Sequence, residues 1–343
     1  MRPSGGRLVG RMLSLRFASY AVAAVAASAA LGCGAAPRTS DMPTAKTPAP
    51  PSPTELVATL DRPLYAMLVD DERVYGIQES EPPRAGVAIR YELVTLDRRG
   101  GRLDRQPVQT IFALTMDSSH LYWDGGGVIF AQRKGEREPR EVERSRHGFA
   151  PIRFCRLGDA VYWQSGAEVH RAKSGRVDVI GSLGEPTTLL GIDEAFFYTD
   201  SMSAEGKPGV VRVSRATGAR EWLAPVWDIA QFFVDNGAVF WVDTRFWLHK
   251  LALRTAKLGP PEVLDNEASV RELAIDGGVV LATTALGLRR YEGGSFATRH
   301  VLAADEELFG RPALHRGRVF VSVAPHGGAP RVVSMPLWSA LQK

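Results

Sequence analysis

The sequence contains little cysteine, which limits the covalent ways in which the protein can be stabilised. Only two of its 343 residues are cysteines, Cys33 and Cys155. Without a free Cys33, Cys155 is the single remaining thiol, and no intramolecular disulfide is expected even in an oxidising compartment. Cys155 lies in the apolar run 152–157, where packing in the interior is the expected role of a free cysteine.

Short motifs for catalysis and metal binding are also missing. The chain has no HExxH, GxSxG or GxxxxGK[ST] motif and no EF-hand loop, the patterns that indicate metalloproteases, serine hydrolases, nucleotide-binding proteins and calcium-binding proteins. Its seven histidines include no two at a metal-ligand spacing. We therefore assign no catalytic residue, and we expect no metal and no cofactor.

The chain lacks an excess of basic charge beyond its first residues. It carries 42 Lys and Arg against 38 Asp and Glu, but residues 1–32 contain four Arg and no Lys, Asp or Glu. Removal of this segment leaves 38 residues of each sign. A nucleic-acid-binding protein needs a basic face or stripe, whereas the charged run at 133–146 is mixed in sign. We expect no binding to nucleic acid.

What the sequence does have begins with a secretory leader at residues 1–32. Its basic start is followed by 16 uncharged residues at 17–32, a stretch too short for a confident membrane span of about 20 apolar residues and typical of a signal peptide. The segment 30–34 (ALGCG) resembles the lipobox of bacterial lipoproteins, which implies that Cys33 is lipidated and forms the new N-terminus. Ordinary cleavage after Ala29 is the alternative.

Residues 33–54 are predicted to be a tether. Six prolines lie among serines and threonines at 37–54, a composition typical of extended, semi-rigid spacers. Because Gly34 rather than Asp follows the cysteine, the lipoprotein resemblance implies the outer membrane. We expect an outer-membrane lipoprotein of the bacterial cell envelope, attached to the membrane by its lipid and facing the periplasm or the cell surface. A secreted or periplasmic soluble protein is the alternative.

A short sequence pattern recurs in the rest of the chain: an apolar strand ends near an Asp, a turn follows, and an apolar–aromatic pair comes next. Its copies are Val74-Tyr75, Leu121-Tyr122-Trp123, Val161-Tyr162-Trp163, Phe196-Phe197-Tyr198, Val239-Phe240-Trp241, Val280-Leu281 and Val319-Phe320. Anchors at Tyr75, Tyr122, Tyr162, Phe197, Phe240, Val280 and Phe320 are 47, 40, 35, 43, 40 and 40 residues apart. One four-stranded propeller blade takes roughly 40–45 residues. The repeat predicts an all-β fold, a β-propeller of seven four-stranded blades in a single domain at 55–343, with six or eight blades also open.

Ring closure is predicted to involve the N-terminus. The last repeat supplies three strands, and its outer strand must come from elsewhere, since an open ring leaves unpaired strand edges. Residues 55–60 (ELVATL) lie just before the first inner strand at 64–69, and we predict that they pair into the last blade. The tail at 338–342 is the competing candidate. The alternative fold is a β-sandwich of hairpins, which does not require seven similar units.

Acidic residues begin the loops that follow the second strand of several repeats. In a propeller these loops lie on one side of the ring, near the mouth of the central channel. Asp124, Asp200 and Asp243 occupy equivalent places, and Arg245 follows the last of them. Grouped at one mouth, they are candidates to bind a cation, a sugar or a basic peptide. The alternative is that each Asp caps its own turn.

One repeat has the features of a known family. The segment 197–200 (FYTD), followed by 209–213 and Thr217-Gly218, resembles YWTD-type propeller repeats, with weaker matches at 122–124 and 240–243. The resemblance implies extracytoplasmic binding rather than catalysis, an aromatic pair packed between blades, and an Asp that ties its turn to the neighbouring repeat. The chain also resembles predicted lipoproteins of GC-rich bacteria of the myxobacterial type, which implies no particular activity.

Two functions from different classes are consistent with these features. The leader, the tether and the repeats favour a lipid-anchored, monomeric propeller that acts as a binding or assembly module for a protein or small ligand. The alternative is an envelope lyase or hydrolase, with or without a metal, in which His, Asp and Glu side chains from different repeats converge in the central channel.

Overall fold

Short antiparallel strands make up the part of the chain that the computed structural model describes. That part consists of residues 54–81, 89–108, 110–144, 153–184, 187–203, 205–226, 229–253, 261–265, 270–276, 279–284, 287–292, 295–301 and 306–337. The predicted leader, Cys33 and nearly all of the tether therefore lie outside the described residues. Within these ranges, no helix is long and apolar enough to cross a membrane.

The described ranges contain 28 strands, most of them four to seven residues long. They are β1 (Glu55–Thr59), β2 (Ala66–Val69), β3 (Arg73–Glu79), β4 (Tyr91–Asp97), β5 (Leu103–Val108), β6 (Ala113–Met116), β7 (His120–Asp124), β8 (Val128–Arg133), β9 (Arg140–Arg144), β10 (Cys155–Leu157), β11 (Ala160–Ser165), β12 (Glu168–Lys173), β13 (Arg176–Ser182), β14 (Thr188–Ile192), β15 (Phe196–Met202), β16 (Pro208–Ser214), β17 (Arg220–Pro225), β18 (Ile229–Asp235), β19 (Ala238–Asp243), β20 (Leu248–Ala252), β21 (Glu262–Asp265), β22 (Glu272–Asp276), β23 (Val279–Thr284), β24 (Gly287–Glu292), β25 (Ser295–Val301), β26 (Glu306–His315), β27 (Arg318–Pro325) and β28 (Arg331–Pro336).

These strands form seven four-stranded antiparallel sheets, which are the blades of a β-propeller. Blades 1 to 6 each use four consecutive strands, starting at β2, β6, β10, β14, β18 and β22, and blade 7 uses β26, β27, β28 and β1. We letter the strands of each blade A to D, from the innermost to the outermost. The fold class and the count of seven blades predicted from the repeat are confirmed.

The N-terminal strand closes the ring, as the sequence predicted. Strand β1 pairs antiparallel with β28, and Glu55 lies opposite Ser334 while Thr59 lies opposite Arg331. The outer strand of the last blade therefore comes from the start of the domain. The competing tail at 338–342 lies outside the described residues.

The antiparallel order gives the ring two chemically distinct faces. The face that we call the AB face carries the A–B and C–D turns, among them 70–72, 117–119, 158–159, 174–175, 193–195, 236–237 and 316–317. The face that we call the BC face carries the B–C turns and the D–A connections, among them 60–65, 110–112, 125–127, 166–167 and 244–247. Because β1 runs from the AB face to the BC face, the chain enters the propeller at Glu55 on the AB face.

The hydrophobic core lies between blades, in seven clusters that each join two neighbours. The second strand of each blade alternates across these clusters, since successive side chains of a strand point to opposite faces. Tyr75 packs against blade 2 and Tyr122 against blade 3. The aromatic residues of the recurring sequence pattern therefore pack between blades.

The structure shifts two of the sequence anchors by one residue. Tyr198 and Leu281 face the following blade, in the position of Tyr75, whereas the anchors Phe197 and Val280 face the preceding blade. A shift of one residue reverses which side of a strand a residue occupies. The recurring sequence pattern did not distinguish the two sides.

Cys155 is buried between blades 3 and 4, as its apolar context predicted. Burial raises the pKa of its thiol to about 12, so that the reactive thiolate is disfavoured at neutral pH.

Candidate functional site

Carboxylates at the A–B turns of three blades accept hydrogen bonds from groups of the protein itself. Each accepts backbone N–H groups two and three residues ahead and the hydroxyl of a tyrosine five residues ahead. The pairs are Asp70–Tyr75 (3.1 Å), Asp117–Tyr122 (2.7 Å) and Asp193–Tyr198 (2.6 Å). An Asp that binds its own turn is common. Here the bond to the tyrosine hydroxyl also connects the turn to the hydrophobic core, because the tyrosine ring packs between two blades.

Asp117 is the most extensively bonded of these carboxylates. It is 2% exposed and accepts the N–H groups of Ser119, His120 and Ser174, each at 2.7 Å. Ser174 belongs to the C–D turn of blade 3, where the N–H of Gly175 also donates to the Tyr122 hydroxyl at 3.0 Å. Burial alone raises the pKa of Asp117, but the hydrogen bonds outweigh burial and hold the pKa below its usual value.

Other polar contacts on the AB face also run between blades. Lys134 Nζ of blade 2 lies 2.9 Å from Asp70 of blade 1. The backbone N–H of Ser118 in blade 2 donates to Asp159 in blade 3 at 2.6 Å. His315 Nε2 of blade 7 lies 2.8 Å from the Asp71 carboxylate of blade 1. The polar groups of this face thus bind neighbouring blades to one another.

The candidate residues from the sequence lie at the opposite end of the blades. Asp124 ends β7 and is buried, and one carboxylate oxygen accepts the N–H groups of Gly126 and Gly127, both at 2.9 Å. Asp200 lies inside β15, where its exposed carboxylate accepts the N–H of Thr188 at 2.6 Å. This partner belongs to the same blade, whereas the YWTD resemblance implies a tie to the neighbouring repeat.

Asp243 organises the most elaborate turn of the BC face. One carboxylate oxygen accepts the N–H groups of Arg245 at 2.8 Å and Trp247 at 3.2 Å, and the other accepts the Arg245 guanidinium at 2.6 Å. His249 Nε2 lies 3.2 Å from the same carboxylate. Burial raises the pKa of Asp243, but these hydrogen bonds prevail and lower it.

Asp124, Asp200 and Asp243 thus lie on one face but on blades 2, 4 and 5, and each carboxylate binds groups of its own blade. In the part of the chain that the structure describes, no three His, Cys, Asp or Glu side chains are placed to share a metal ion.

Exposed apolar side chains on the BC face were missed by the sequence analysis. Eight large apolar residues are exposed in the described ranges, and five of them lie on this face. These five, 42–64% exposed, are Tyr65, Ile89, Phe112, Met202 and Phe246. The other three, Leu56, Val179 and Val263, lie on outermost strands. The described AB face has none, and larger exposed apolar areas usually mark interaction sites.

Phe246 is held in a backbone conformation that disfavours it. Its φ is +64°, the left-handed region in which a bulky residue is an outlier. The turn supports it nonetheless: its N–H donates to the Asp243 carbonyl at 2.9 Å, and its carbonyl accepts the N–H of Val270 in the next blade at 3.1 Å. Arg245 stacks on Trp247, with its guanidinium carbon 3.9 Å from the ring centroid. The Asp243 turn therefore presents a strained, exposed phenylalanine to solvent. The signal in the sequence was a Phe within a hairpin turn.

Charged side chains reach between non-adjacent blades near the channel. Arg153 of blade 3 donates to the carbonyl of Ile229 in blade 5 at 3.1 Å. The Arg311 guanidinium of blade 7 lies 5.1 Å from the ring centroid of Phe233 in blade 5, and its Nε is 3.8 Å from Glu272 of blade 6. Contacts that skip a blade must pass over the inner edge of that blade, so these side chains line the channel.

Comparisons with known proteins identify the fold and no family. No family model matches the chain, and no curated protein matches it. Among solved structures, PorZ, described as an essential surface component of the type-IX secretion system of Porphyromonas gingivalis, is 9% identical with a TM-score of 0.54 over 83% of this chain and 38% of PorZ. The extracellular domain of BT4673 from B. thetaiotaomicron, described as a one-component system, is 13% identical with a TM-score of 0.50 over 82% and 39% of the two chains.

A third similar structure is the CNH domain of AfRom2, which is 9% identical with a TM-score of 0.51 over 84% of this chain and all of that domain. The chain spans less than two fifths of the length of the first two structures. At these identities the similarity is one of architecture alone.

Proposed function

We propose that this protein is a lipid-anchored envelope propeller that acts as a binding or assembly module and presents its BC face to a protein or small ligand. The observation that carries the proposal is the contrast between the faces. The five exposed apolar side chains on the BC face include a strained Phe246, whereas the polar groups of the AB face bind its neighbouring blades.

The direction of β1 gives this proposal an orientation. The predicted tether, 33–54, precedes Glu55, which lies on the AB face. A chain anchored through Cys33 therefore reaches the propeller on the side opposite the exposed apolar residues. This arrangement leaves the BC face available to a partner away from the point of attachment.

The envelope location agrees with the descriptions of two similar structures, an extracellular domain and a bacterial surface component. Lipidation has a direct test. Palmitate labelling of cells that produce the protein is expected to label the wild type and not the Cys33→Ser variant. Label that persists in the variant would exclude this anchor. The relationship to YWTD-type repeats also remains part of the proposal, supported by the packing of Tyr198 between blades.

Site-specific photocrosslinking in intact cells tests the binding face. A benzophenone amino acid replaces Phe112 or Phe246 on the BC face, and, as matched controls, Glu194 or Thr217, which are exposed in turns of the AB face. We expect both BC-face positions to give the same crosslinked species and both controls to give none. Equal crosslinking from the two faces, or crosslinking from the AB face alone, would contradict the proposal.

A further inference from the structure

We propose that Glu143, His170 and Glu168 form a pH-sensitive contact between blades 2 and 3, in which a second proton on the His170 imidazole creates a hydrogen bond to Glu168. We call these three residues, together with Trp163, the His170 cluster. Protonation of one side chain would then hold the BC-face end of blade 3 more firmly to the outermost strand of blade 2. The inference goes beyond the proposed function and does not use the exposed apolar residues of the BC face.

The His170 cluster lies where β9 of blade 2 meets β11 and β12 of blade 3. Trp163 and His170 are cross-strand partners, and their rings stack with centroids 5.7 Å apart and planes at 15°. Glu143 reaches both rings from blade 2: its Oε2 accepts the Trp163 Nε1–H at 2.6 Å and lies 3.0 Å from His170 Nδ1. The side chains of Glu143 and His170 are 14% and 11% exposed. A carboxylate and an imidazole thus meet inside the interface between two blades.

The contact with Glu143 determines which nitrogen of the neutral His170 ring carries the proton. A carboxylate oxygen accepts hydrogen bonds and donates none, so Nδ1 is the N–H and Nε2 is the bare acceptor. In the described chain Nε2 is buried and has no hydrogen-bond partner. The Glu168 carboxylate lies 3.7 Å from it, beyond hydrogen-bond distance. The neutral ring therefore directs a lone pair toward a carboxylate, and its Nε2 stays unsatisfied.

A second proton would satisfy the nitrogen that the neutral ring leaves without a partner. Both nitrogens of an imidazolium are donors, so Nδ1–H stays on Glu143 while Nε2–H gains Glu168 as its acceptor. Hydrogen bonds that involve ionised partners are roughly twice as strong as neutral ones. Trp163 adds to this effect, because a cation within about 6 Å of an indole centroid is attracted to the ring face. The Glu168 side chain is 61% exposed, so it has room to move toward Nε2.

Charged groups of β9 and β10 do not oppose this arrangement. Arg144 of β9 is paired with Glu141 at 2.7 Å. Arg140 of the same strand donates to the Gly175 carbonyl in the C–D turn of blade 3, at the AB-face end of the interface. Arg156 of β10 is level with Val161, closer to the AB face than Trp163 and separated from β12 by β11.

The strands on the other side of His170 also leave its two carboxylates unopposed. Val179 is opposite His170 on β13. The neighbouring pair in this register, Arg171 and Asp178, forms an ion pair at 3.0 Å and lies on the other side of the sheet, since successive side chains alternate. Within the ranges that the structure describes, the charged groups that face the His170 ring are therefore two carboxylates.

Blade 5 contains the same pair of rings with different charged neighbours. His249 stacks on its cross-strand partner Trp241 with centroids 5.1 Å apart, and its Nε2 lies 3.2 Å from Asp243. The same carboxylate oxygen accepts the Arg245 guanidinium at 2.6 Å, and this cation opposes a second proton on the ring. No second carboxylate contacts His249 among the described residues. We therefore expect His170 to take up its second proton at a higher pH than His249.

Nuclear magnetic resonance of the purified full chain, with ¹⁵N in its histidine side chains, tests the proposal. Signals that connect ring nitrogens to ring protons distinguish the two neutral tautomers and the imidazolium, and single substitution of the histidines assigns them. We expect His170 to be the Nδ1–H tautomer at about pH 8.5 and an imidazolium at about pH 5.5, since histidine changes its charge between about pH 5 and 8.

Glu168→Gln tests the acceptor of the new bond. An amide donates to the bare Nε2 of the neutral ring, so we expect this variant to lower the pH of the second protonation by about one unit. Asp178→Asn is the matched control. It removes a carboxylate of similar exposure, 58% against 61%, from the opposite side of the same blade, and it is expected to leave the protonation of His170 unchanged.

Thermal unfolding measures whether the contact holds the blades together. We expect the melting temperature of the wild type to exceed that of His170→Gln by about 2–4 °C more at about pH 5.5 than at about pH 8, and His249→Gln to show a smaller change. The proposal is overturned if His170 is the Nε2–H tautomer at high pH, if it stays neutral at about pH 5.5, or if Glu168→Gln and Asp178→Asn have equal effects. The tautomer and the comparison of these two variants are measured with His170 in place, so the test does not depend on the folding of His170→Gln.

Discussion

The AB face and the BC face use similar residues for opposite purposes. On the AB face, Asp117 binds its own turn and also Tyr122 and the next blade. On the BC face, Asp243 binds its own turn, and the product is an exposed Phe246 in a left-handed conformation. Aspartate carboxylates thus connect neighbouring blades on one face, and on the other they stabilise a turn that exposes a phenylalanine side chain.

Stability and function are therefore expected to depend on different faces of the molecule. Contacts between blades must hold for the ring to close, so changes on the AB face are expected to act on folding. The Asp243 carboxylate binds its own turn, and the one bond to the next blade runs through the Phe246 carbonyl rather than a side chain, so changes in the exposed side chains of this turn are expected to act on binding. Each variant below tests one side of this comparison against a matched position.

The largest effect is expected for Asp117→Ala. The change removes the acceptor of three backbone N–H groups and the Tyr122 hydroxyl, and buried donors without a partner cost about 1–3 kcal/mol each. We expect the free energy of unfolding to fall by at least about 3 kcal/mol in chemical denaturation. Asp200→Ala, which releases the single N–H of Thr188, is expected to cost about 0.5–1.5 kcal/mol. Equal losses would erase the distinction between the faces.

Tyrosine hydroxyls allow a finer test within the core. Tyr122 and Tyr162 occupy the same position in blades 2 and 3 and are both buried. The residue five positions earlier is Asp117 in one case and Leu157 in the other. Tyr122→Phe loses the bonds to Asp117 and Gly175 and is expected to cost about 1–3 kcal/mol. Tyr162→Phe, whose hydroxyl has no described partner, is expected to stay within about 0.5 kcal/mol. Denaturant midpoints at a constant m-value measure both.

The sequence was sufficient for the architecture because the repeat reflects packing between blades. Apolar positions such as Tyr75 and Phe320 recur wherever a second strand faces its neighbour, so their period counts the blades. The closing strand was predictable for a similar reason, since ring closure demands a partner for β28 and residues 55–60 were available.

The candidate site was less predictable because a sequence does not show what a side chain binds. From the sequence, Asp124 was a candidate either to bind a ligand or to cap its own turn, and in the structure it is buried and accepts two N–H groups of that turn. The exposure of Phe112 depends on the path of the D–A connection that contains it. Arg311 contacts Phe233 although their blades are separated by a third. Such contacts are set by the closed ring and leave no local pattern.

Hydrogen-bonded carboxylates, Asp70 and Asp117 on the AB face and Asp243 on the BC face, are expected to set the pH dependence of stability. Hydrogen bonds hold the pKa values of Asp70 and Asp117 below normal in the folded state, so their stabilisation is complete above the unfolded pKa of about 3.9 and is lost as the pH falls through the folded values. Glu272, with a raised pKa, acts in the opposite sense. We expect a shallower acid-induced loss in Asp117→Asn than in the wild type, at about 1.4 kcal/mol per unit of pKa shift. Thermal unfolding of the wild type and of the variant over a series of pH values measures the difference.

The smallest expected effect is a gain in stability on the BC face. Phe246→Gly places at φ +64° the residue that adopts this conformation without strain. The left-handed region costs other residues roughly 1–2 kcal/mol, and the greater freedom of glycine in the unfolded chain returns about 0.5–1 kcal/mol of that. We expect a net gain of up to about 1 kcal/mol together with loss of partner capture. Phe112→Gly, an exposed residue outside the left-handed region, is expected to gain nothing. A Phe246→Gly variant that is less stable than the wild type would mean that the phenylalanine supports the turn, and its strain would then no longer distinguish the BC face as a surface shaped for binding.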